Sequence, residues 1–351
     1  MGARACDGQP FRDRTLNVGC LTVSDIGELE LVERILGKLS ALNSDVQIGP
    51  GDDAAVLSIG GSVVLTTDSQ HEGIHYCAEW IAPEVLGRRA IAVNASDLGA
   101  MGARPRGFLV ALALPASTEL DWVVSLAEGL REGAERFGAS ILGGDVAAVA
   151  NHVSINVTAL GEIEEGTDPV ERGGAAEGTW CFVTGWPGRA AAARRMFKTG
   201  YRSSAAFEPC IDAFLDPRPP VAFGGCVASQ GLVGAMIDIS DGLAVDLGRM
   251  CLASGVGARL DAEILVADTV LVDVSAGLSL DPIKLVLGGG EDYELLCSVA
   301  DEKAQTFRAL AAEEGVEVRA VGRFVAANKG ITFVRAGHVE TISCDGWDHF
   351  A

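Results

Sequence analysis

Two acids and a serine, Asp238, Ser240 and Asp241, close an apolar segment that begins at Ala235. Beyond them, Leu243, Leu247, Met250 and Cys251 follow at helical spacing. A strand-to-helix corner of this kind can hold two carboxylates and a hydroxyl around one hard cation. Taken alone, it reads first as an ordinary helix start, with Ser240 or Asp241 as the N-cap.

The same ending recurs along the chain. Asp52 and Asp53 follow a Gly/Pro turn and enter a short apolar strand ending at Leu57. A strand from Ser62 closes on Thr66, Thr67 and Asp68, with His75 a little further on. A helical pattern from Pro83 to Met101 carries Asp97 on an apolar face, among small residues that let another backbone approach. An apolar strand from Ile141 closes on Gly143, Gly144 and Asp145. Each acid alone fits a turn or a solvated helix end. Their recurrence is more specific. Carboxylates folded together repel by several kcal/mol at an effective dielectric of about 20. Mg²⁺, which prefers carboxylate, water and phosphate oxygens, is the compensation such a group calls for.

Composition narrows the chemistry. Lys and Arg number 27 against 48 Asp and Glu, a formal charge of −21. That excess, with no basic patch, argues against nucleic acid or an anionic membrane as partner. The 9 cysteines lie far apart with no Cys-x-x-Cys pair, so they read as reduced thiols of a cytoplasmic protein. With only 5 histidines, little is left for zinc. The Gly-x-x-x-x-Gly-Lys-Ser/Thr loop and the protein-kinase catalytic loop are both missing. A nucleotide would therefore be held through metal bridges and backbone amides. No run reaches membrane-spanning length, and residues 1–23 lack the apolar core of a signal peptide and read as an N-terminal extension.

The elements that must position these residues read as α/β. A helix from Ser24 or Asp25 to about Leu39 shows Val32, Ile35, Leu36 and Leu39 on one face. Strands are expected at Gly107–Leu114, Val153–Ile163 and Trp180–Thr184. Thr118–Phe137 reads as a helix with Leu120, Val123, Val124, Ala127 and Leu130 inward. Helices also fit Gly188–Thr199, Ser203–Leu215, Val221–Ser229 and Asp301–Glu314. A strand follows the Gly288–Glu294 turn, and another covers Gly330–Val334. The Gly- and Glu-rich stretch Glu164–Gly178 has no apolar period and marks a domain boundary, giving domains 24–165 and 166–351.

Taken in order, these stretches resemble the thiamine-monophosphate kinase family. The resemblance rests on Gly51–Ala55, Thr66-Thr67-Asp68 with Glu72–His75, Asn94–Ala103 and Gly143-Gly144-Asp145. It continues through Arg172–Ala175, Asp238–Leu243, Gly289–Leu295 and the Trp347 tail. The family belongs to the superfamily of aminoimidazole ribotide synthetase and selenophosphate synthetase. It implies a two-domain α/β (α+β) fold, with an N-terminal ATP- and Mg²⁺-binding domain whose sheet forms a homodimer interface. The C-terminal domain would close over the nucleotide.

The resemblance implies ATP-dependent phosphorylation of thiamine monophosphate to thiamine diphosphate. It places Mg²⁺ on Asp53, Thr66, Thr67, Asp68, Asp97, Asp145, Asp238 and Asp241. It places ATP on Gly144, Asp145, Arg172 and Ser240, and thiamine monophosphate on His75, Glu291 and Trp347. Asp238, Asp241 and Asp145 would carry the catalytic role. Two stretches depart from the family's pattern: Val146–Val149 replaces the Thr and Arg usual after Gly-Gly-Asp, and Ser69-Gln70-His71 replaces a mostly apolar run. A paralogous enzyme acting on another phosphorylated metabolite, and a non-catalytic nucleotide-binding homologue, are the alternatives these departures leave open.

Overall fold

The computed structural model describes residues 21–39, 42–50, 54–200 and 205–342. The chain divides into two compact units. The first holds the residues up to Ala95 together with Pro105–Glu162, and the second holds Ser96–Arg104 and everything from Ile163.

The first unit opens with α1 (Val23–Leu36), a small antiparallel pair β1 (Val46–Ile48) and β2 (Val56–Leu57), then β3 (Ser62–His71). It continues with α2 (Pro83–Ala100), β4 (Arg104–Pro115), α3 (Leu120–Arg136), β5 (Ser140–Val149) and β6 (Ser154–Ile163). Strands β3, β6, β4 and β5 form a four-stranded sheet in that order, with β4 and β5 parallel. Parallel neighbours need a crossover, and α3 supplies it. Its inward face is Leu120, Val123, Leu126, Ala127 and Leu130; Val124, expected inward, is only half-buried beside Leu126.

Helix α1 starts two or three residues earlier than its sequence suggests. Thr22 takes the N-cap position, and Asp25 reaches back to accept the Thr22 N–H at 2.7 Å. That exchange satisfies the helix's first donors, so Ser24 and Asp25 lie inside it. The helix ends at Leu36, before Gly37, and buries Leu31 and Ile35.

The second unit contains β7 (Trp180–Thr184), α4 (Arg189–Thr199), α5 (Glu208–Leu215), α6 (Val221–Ser229), β8 (Ala235–Ile239) and α7 (Leu243–Ser254). Next come β9 (Val256–Asp261), α8 (Ala262–Leu265), α9 (Thr269–Gly277), α10 (Pro282–Gly288) and β10 (Glu294–Val299). The unit closes with α11 (Ala304–Glu313), β11 (Val318–Ala326), β12 (Ile331–Arg335) and β13 (His338–Thr341). The seven strands run in the order β13-β12-β9-β11-β7-β10-β8, antiparallel throughout except for β12 against β9. A core of Phe182, Phe223 and Phe307 lies beneath it, with ring centroids 4.9 Å apart for Phe182–Phe307 and 5.3 Å for Phe223–Phe307.

The last turn of α2 belongs with this second unit. Gly99 lies so close to α6 that a methyl group would press on the Val221 backbone, which is the close approach expected of the small residues there. Among the described residues, no helix is long and apolar enough to cross a membrane.

Candidate active site

In the second unit, Asp238 is the penultimate residue of β8, where every residue is buried. It pairs with Leu295 across the antiparallel β8–β10 ladder. A carboxylate only 6% exposed is costly unless polar groups face it. Ser96, buried in the last turn of α2, donates its hydroxyl to Asp238 Oδ2 at 2.8 Å. Ser96 therefore supports Asp238, a role its place among small residues gave no reason to expect.

Neither Ser240 nor Asp241 is the N-cap of α7. Gly242 occupies that position with φ 110°, a conformation that L side chains rarely adopt, and it makes no side-chain cap. Asp246, in the first turn of the helix, instead holds the chain that leads into it. Its Oδ2 accepts the N–H of Ser240 at 3.1 Å and of Asp241 at 3.0 Å. Its Oδ1 accepts from Arg249 Nη1 at 2.7 Å, and the same nitrogen lies 2.6 Å from Asp241 Oδ2. Burial pushes the Asp246 carboxyl up to about 6, against the pull of the Asp241 N–H and Arg249. Neither the Ser240 nor the Asp241 side chain is used as the N-cap of α7. Asp246 and Arg249 escape a reading based on acid-ended strands. The signal was an acid on the apolar face of α7, between Leu243 and Leu247.

The loop 289–293 docks onto this corner. Glu291 N–H donates to Ser240 O at 2.7 Å and Tyr293 N–H to Ile239 O at 2.9 Å. Glu291 (φ 65°) and Tyr293 (φ 53°) both take left-handed conformations, a strain that accumulates at functional sites. Between them Asp292 is buried, and both its oxygens accept the Gly188 N–H, at 2.9 and 3.0 Å, anchoring the loop to the start of α4. Burial raises its carboxyl well above the usual range. The Glu291 carboxylate stands 3.9 Å from Arg194 Nη1. Arg172 is exposed, in a segment whose carbonyl receives the Ser254 hydroxyl at 3.5 Å.

In the first unit, β3 carries Thr66, Thr67 and Asp68. Alternation along the strand sets Thr66 and Asp68 on one side and Thr67 on the other. The Asp68 N–H donates to Asn94 Oδ1 at 2.9 Å, and the Thr67 hydroxyl to Val157 O at 3.0 Å. The strand does not stop at Asp68 but runs to His71. His75 Nδ1 accepts the His71 N–H at 3.0 Å, so a neutral His75 carries its proton on Nε2.

Strand β5 likewise continues past Asp145 to Val149, paired with β4 through Ala111↔Asp145 and Leu112↔Val146. A shift in register between Phe108 and Leu109 inserts Leu142 as the extra residue before Gly143. At Gly144 a Cβ would overlap the Val110 carbonyl, so the strand can pass there only as glycine. Asp145 is exposed. Asp68 and Asp145 lie on opposite edge strands of the sheet, with β6 and β4 between them, so their strands are about 14 Å apart across the sheet.

Both departures from the family pattern have local partners. Val146–Val149 simply prolongs β5. In the polar run, the Ser69 hydroxyl donates to Asn156 Oδ1 at 2.7 Å, buried Gln70 accepts from Arg89 Nε at 3.3 Å, and His71 Nδ1 lies 2.7 Å from the Ser154 hydroxyl.

Among the described residues, no group of three or more His, Cys, Asp or Glu side chains gathers closely enough to hold a metal ion. The pairing seen instead is each acid with its own support, Asp238 with Ser96 and Asp241 with Arg249. The donors at the β8–α7 corner are all carboxylate and hydroxyl oxygens, a set that suits Mg²⁺ and not zinc. Asp53 and Trp347 lie outside the described residues.

Residues 51–163 match the model of the AIR synthase related protein N-terminal domain, and residues 188–335 that of the C-terminal domain. A thiamine-monophosphate kinase of Mycobacterium tuberculosis is 38% identical over 288 residues, covering 81% of this chain and 84% of that protein. The crystal structure of thiamine-monophosphate kinase from Stenotrophomonas maltophilia superposes with a TM-score of 0.78 at 30% identity, covering 88% of this chain and 96% of the other. The solved structure of AaThiL complexed with AMPPCP and TMP gives 0.73 at 27% identity, covering 94% and 99%.

Proposed function

We propose that this chain, which belongs to the thiamine-monophosphate kinase family, transfers the γ-phosphoryl group of ATP to the phosphate of thiamine monophosphate. A bond forms between the acceptor phosphate oxygen and the γ-phosphorus, the bond to the β-bridging oxygen breaks, and ADP leaves with thiamine diphosphate. The acceptor oxygen is already anionic, so no general base is required. Catalysis then rests on alignment and on neutralising a loose transition state. Mg²⁺, when bound, would supply that neutralisation.

The observation that carries this reading is Asp238, buried at the end of β8 and met by the Ser96 hydroxyl at 2.8 Å, at a corner where Gly242 and not Ser240 or Asp241 is the N-cap of α7. Asp238 and Asp241 offer carboxylate oxygens to the cation there. By their place in the family's motifs, Thr66, Thr67, Asp68, Asp97 and Asp145 would serve Mg²⁺ binding, as would Asp53. Gly144, Asp145, Arg172 and Ser240 receive ATP. His75 donates from Nε2, and Glu291 and Trp347 complete the thiamine monophosphate site.

A homodimer through the N-terminal sheet belongs to the same reading. Leu65 is 65% exposed, Val63 49% and Leu109 44%, on β3 and β4 of that sheet. The cysteines described, Cys77, Cys181, Cys210, Cys226, Cys251 and Cys297, are free thiols, which accords with a cytoplasmic protein.

The test is direct. Protein incubated with ATP, Mg²⁺ and thiamine monophosphate should yield thiamine diphosphate and ADP, and Asp238→Asn should abolish the product while keeping the circular dichroism spectrum. Release of free phosphate in place of a diphosphorylated product would point to the ring-closure chemistry of the wider superfamily. Undiminished turnover by Asp238→Asn would remove that residue from the mechanism.

A further inference from the structure

We propose that Arg249 is an exchangeable counter-ion for Asp241, holding that carboxylate until a divalent cation takes its place, with Asp246 keeping the guanidinium at hand. The inference rests on the reading of Asp241 as a metal ligand.

Three features carry it. Arg249 spends one nitrogen on two carboxylates, 2.6 Å from Asp241 Oδ2 and 2.7 Å from Asp246 Oδ1. That is not the paired fork by which arginine grips a single carboxylate most firmly. The two carboxylates also differ in what else holds them. Asp246 is fully buried and fixed by the Ser240 and Asp241 N–H groups, so its place does not depend on Arg249 alone. Asp241 is 30% exposed and Arg249 43%, so their contact is open to solvent and to an entering ion.

An ion pair so exposed contributes little and is released at small cost. The guanidinium stays charged under all ordinary conditions. While it sits on Asp241 it offsets the repulsion between Asp241 and Asp246, whose carboxylates flank the same nitrogen. It also opposes any cation that approaches Asp241. Arg249 therefore sets the affinity of this corner for the cation without touching the substrates. It is a positioning residue, and removing its charge should tighten cation binding.

Mn²⁺ is the probe, its free concentration followed by electron paramagnetic resonance on the full chain without nucleotide. Asp241→Asn should weaken Mn²⁺ binding. Arg249→Met should tighten the Asp241-dependent site by roughly twofold to fivefold, the scale of an exposed ion pair. In an Asp241→Asn background, Arg249→Met should change nothing. Arg249→Lys, which keeps the charge, should bind Mn²⁺ close to the parent. If Arg249→Met unfolds, Arg249→Gln serves in its place, with circular dichroism as the check. An Arg249→Met or Arg249→Gln protein that binds Mn²⁺ no more tightly than its parent, while Asp241→Asn binds it less, overturns the counter-ion role and leaves the metal role intact. Asp241→Asn with unaltered Mn²⁺ binding removes the premise instead.

Discussion

The hydroxyl of Ser96 lies 2.8 Å from Asp238 Oδ2, joining the end of a helix to the end of a strand 142 residues away in the chain. Both groups are buried, so the bond between them forms away from solvent. Ser96→Ala leaves the carboxylate without this donor. We expect a loss of about 1–3 kcal/mol of stability in urea titrations. Turnover should fall roughly tenfold to a hundredfold, the usual cost of removing a group that orients a metal ligand. Unaltered kcat and KM would show that Ser96 only packs.

Glu294 opens β10, and its carboxylate accepts the Thr184 hydroxyl at 2.5 Å. Burial pushes its carboxyl up to about 7, from an ordinary value of 4.5. The folded protein therefore holds this proton more tightly than the unfolded chain does. Between pH 4.5 and 7 folding takes up the proton, and the contribution of Glu294 to stability falls as pH rises through that window. The full effect is roughly 3 kcal/mol. Urea midpoints across this range should decline for the parent and decline less for Glu294→Gln. Identical pH slopes for the two proteins would refute the assignment.

At Gly144 the β4 backbone stands where a side chain would go. Gly144→Ala must push β5 away from Val110 and break the parallel pairing that presents Asp145. We expect a loss of several kcal/mol, the scale of overpacking against a backbone. Thermal unfolding measures it. A melting temperature within a degree or so of the parent would mean that β5 shifts freely.

Leu65 leaves a large apolar side chain 65% exposed on β3. If the N-terminal sheets of two copies cover it, Leu65→Glu should place an unpaired charge in that interface and give a monomer by light scattering. The variant should stay folded, since the residue is solvated within its own unit. A dimer that persists in Leu65→Glu would locate the contact elsewhere.

Local order was legible in the sequence wherever one face of an element is buried. Strand Trp180–Thr184 and helix Val221–Ser229 fall where their apolar runs place them. The strand and three helices between Val256 and Gly288 are short and weakly periodic, so apolar pattern does not reveal them. Their signal was there in another form: Asp261, Asp268 and Asp281 each accept a backbone N–H at a helix start, from Ile264, Val270 and Ile283 at 3.2, 3.1 and 3.2 Å. Asp241 looks much the same in sequence, yet Gly242 and not Asp241 is the N-cap of α7.

That difference marks what each level decides. The motifs, their order and the family they belong to are properties of the chain as written, because apolar period and turn chemistry act over a few residues. Which acid caps, which faces a hydroxyl and which pairs with Arg249 depends on groups far along the chain. So does the placing of Asp68 and Asp145 on opposite edges of one sheet, where strand order, and not spacing in the chain, sets the distance. A buried carboxylate must find its partners wherever packing brings them, and only the tertiary structure names those partners.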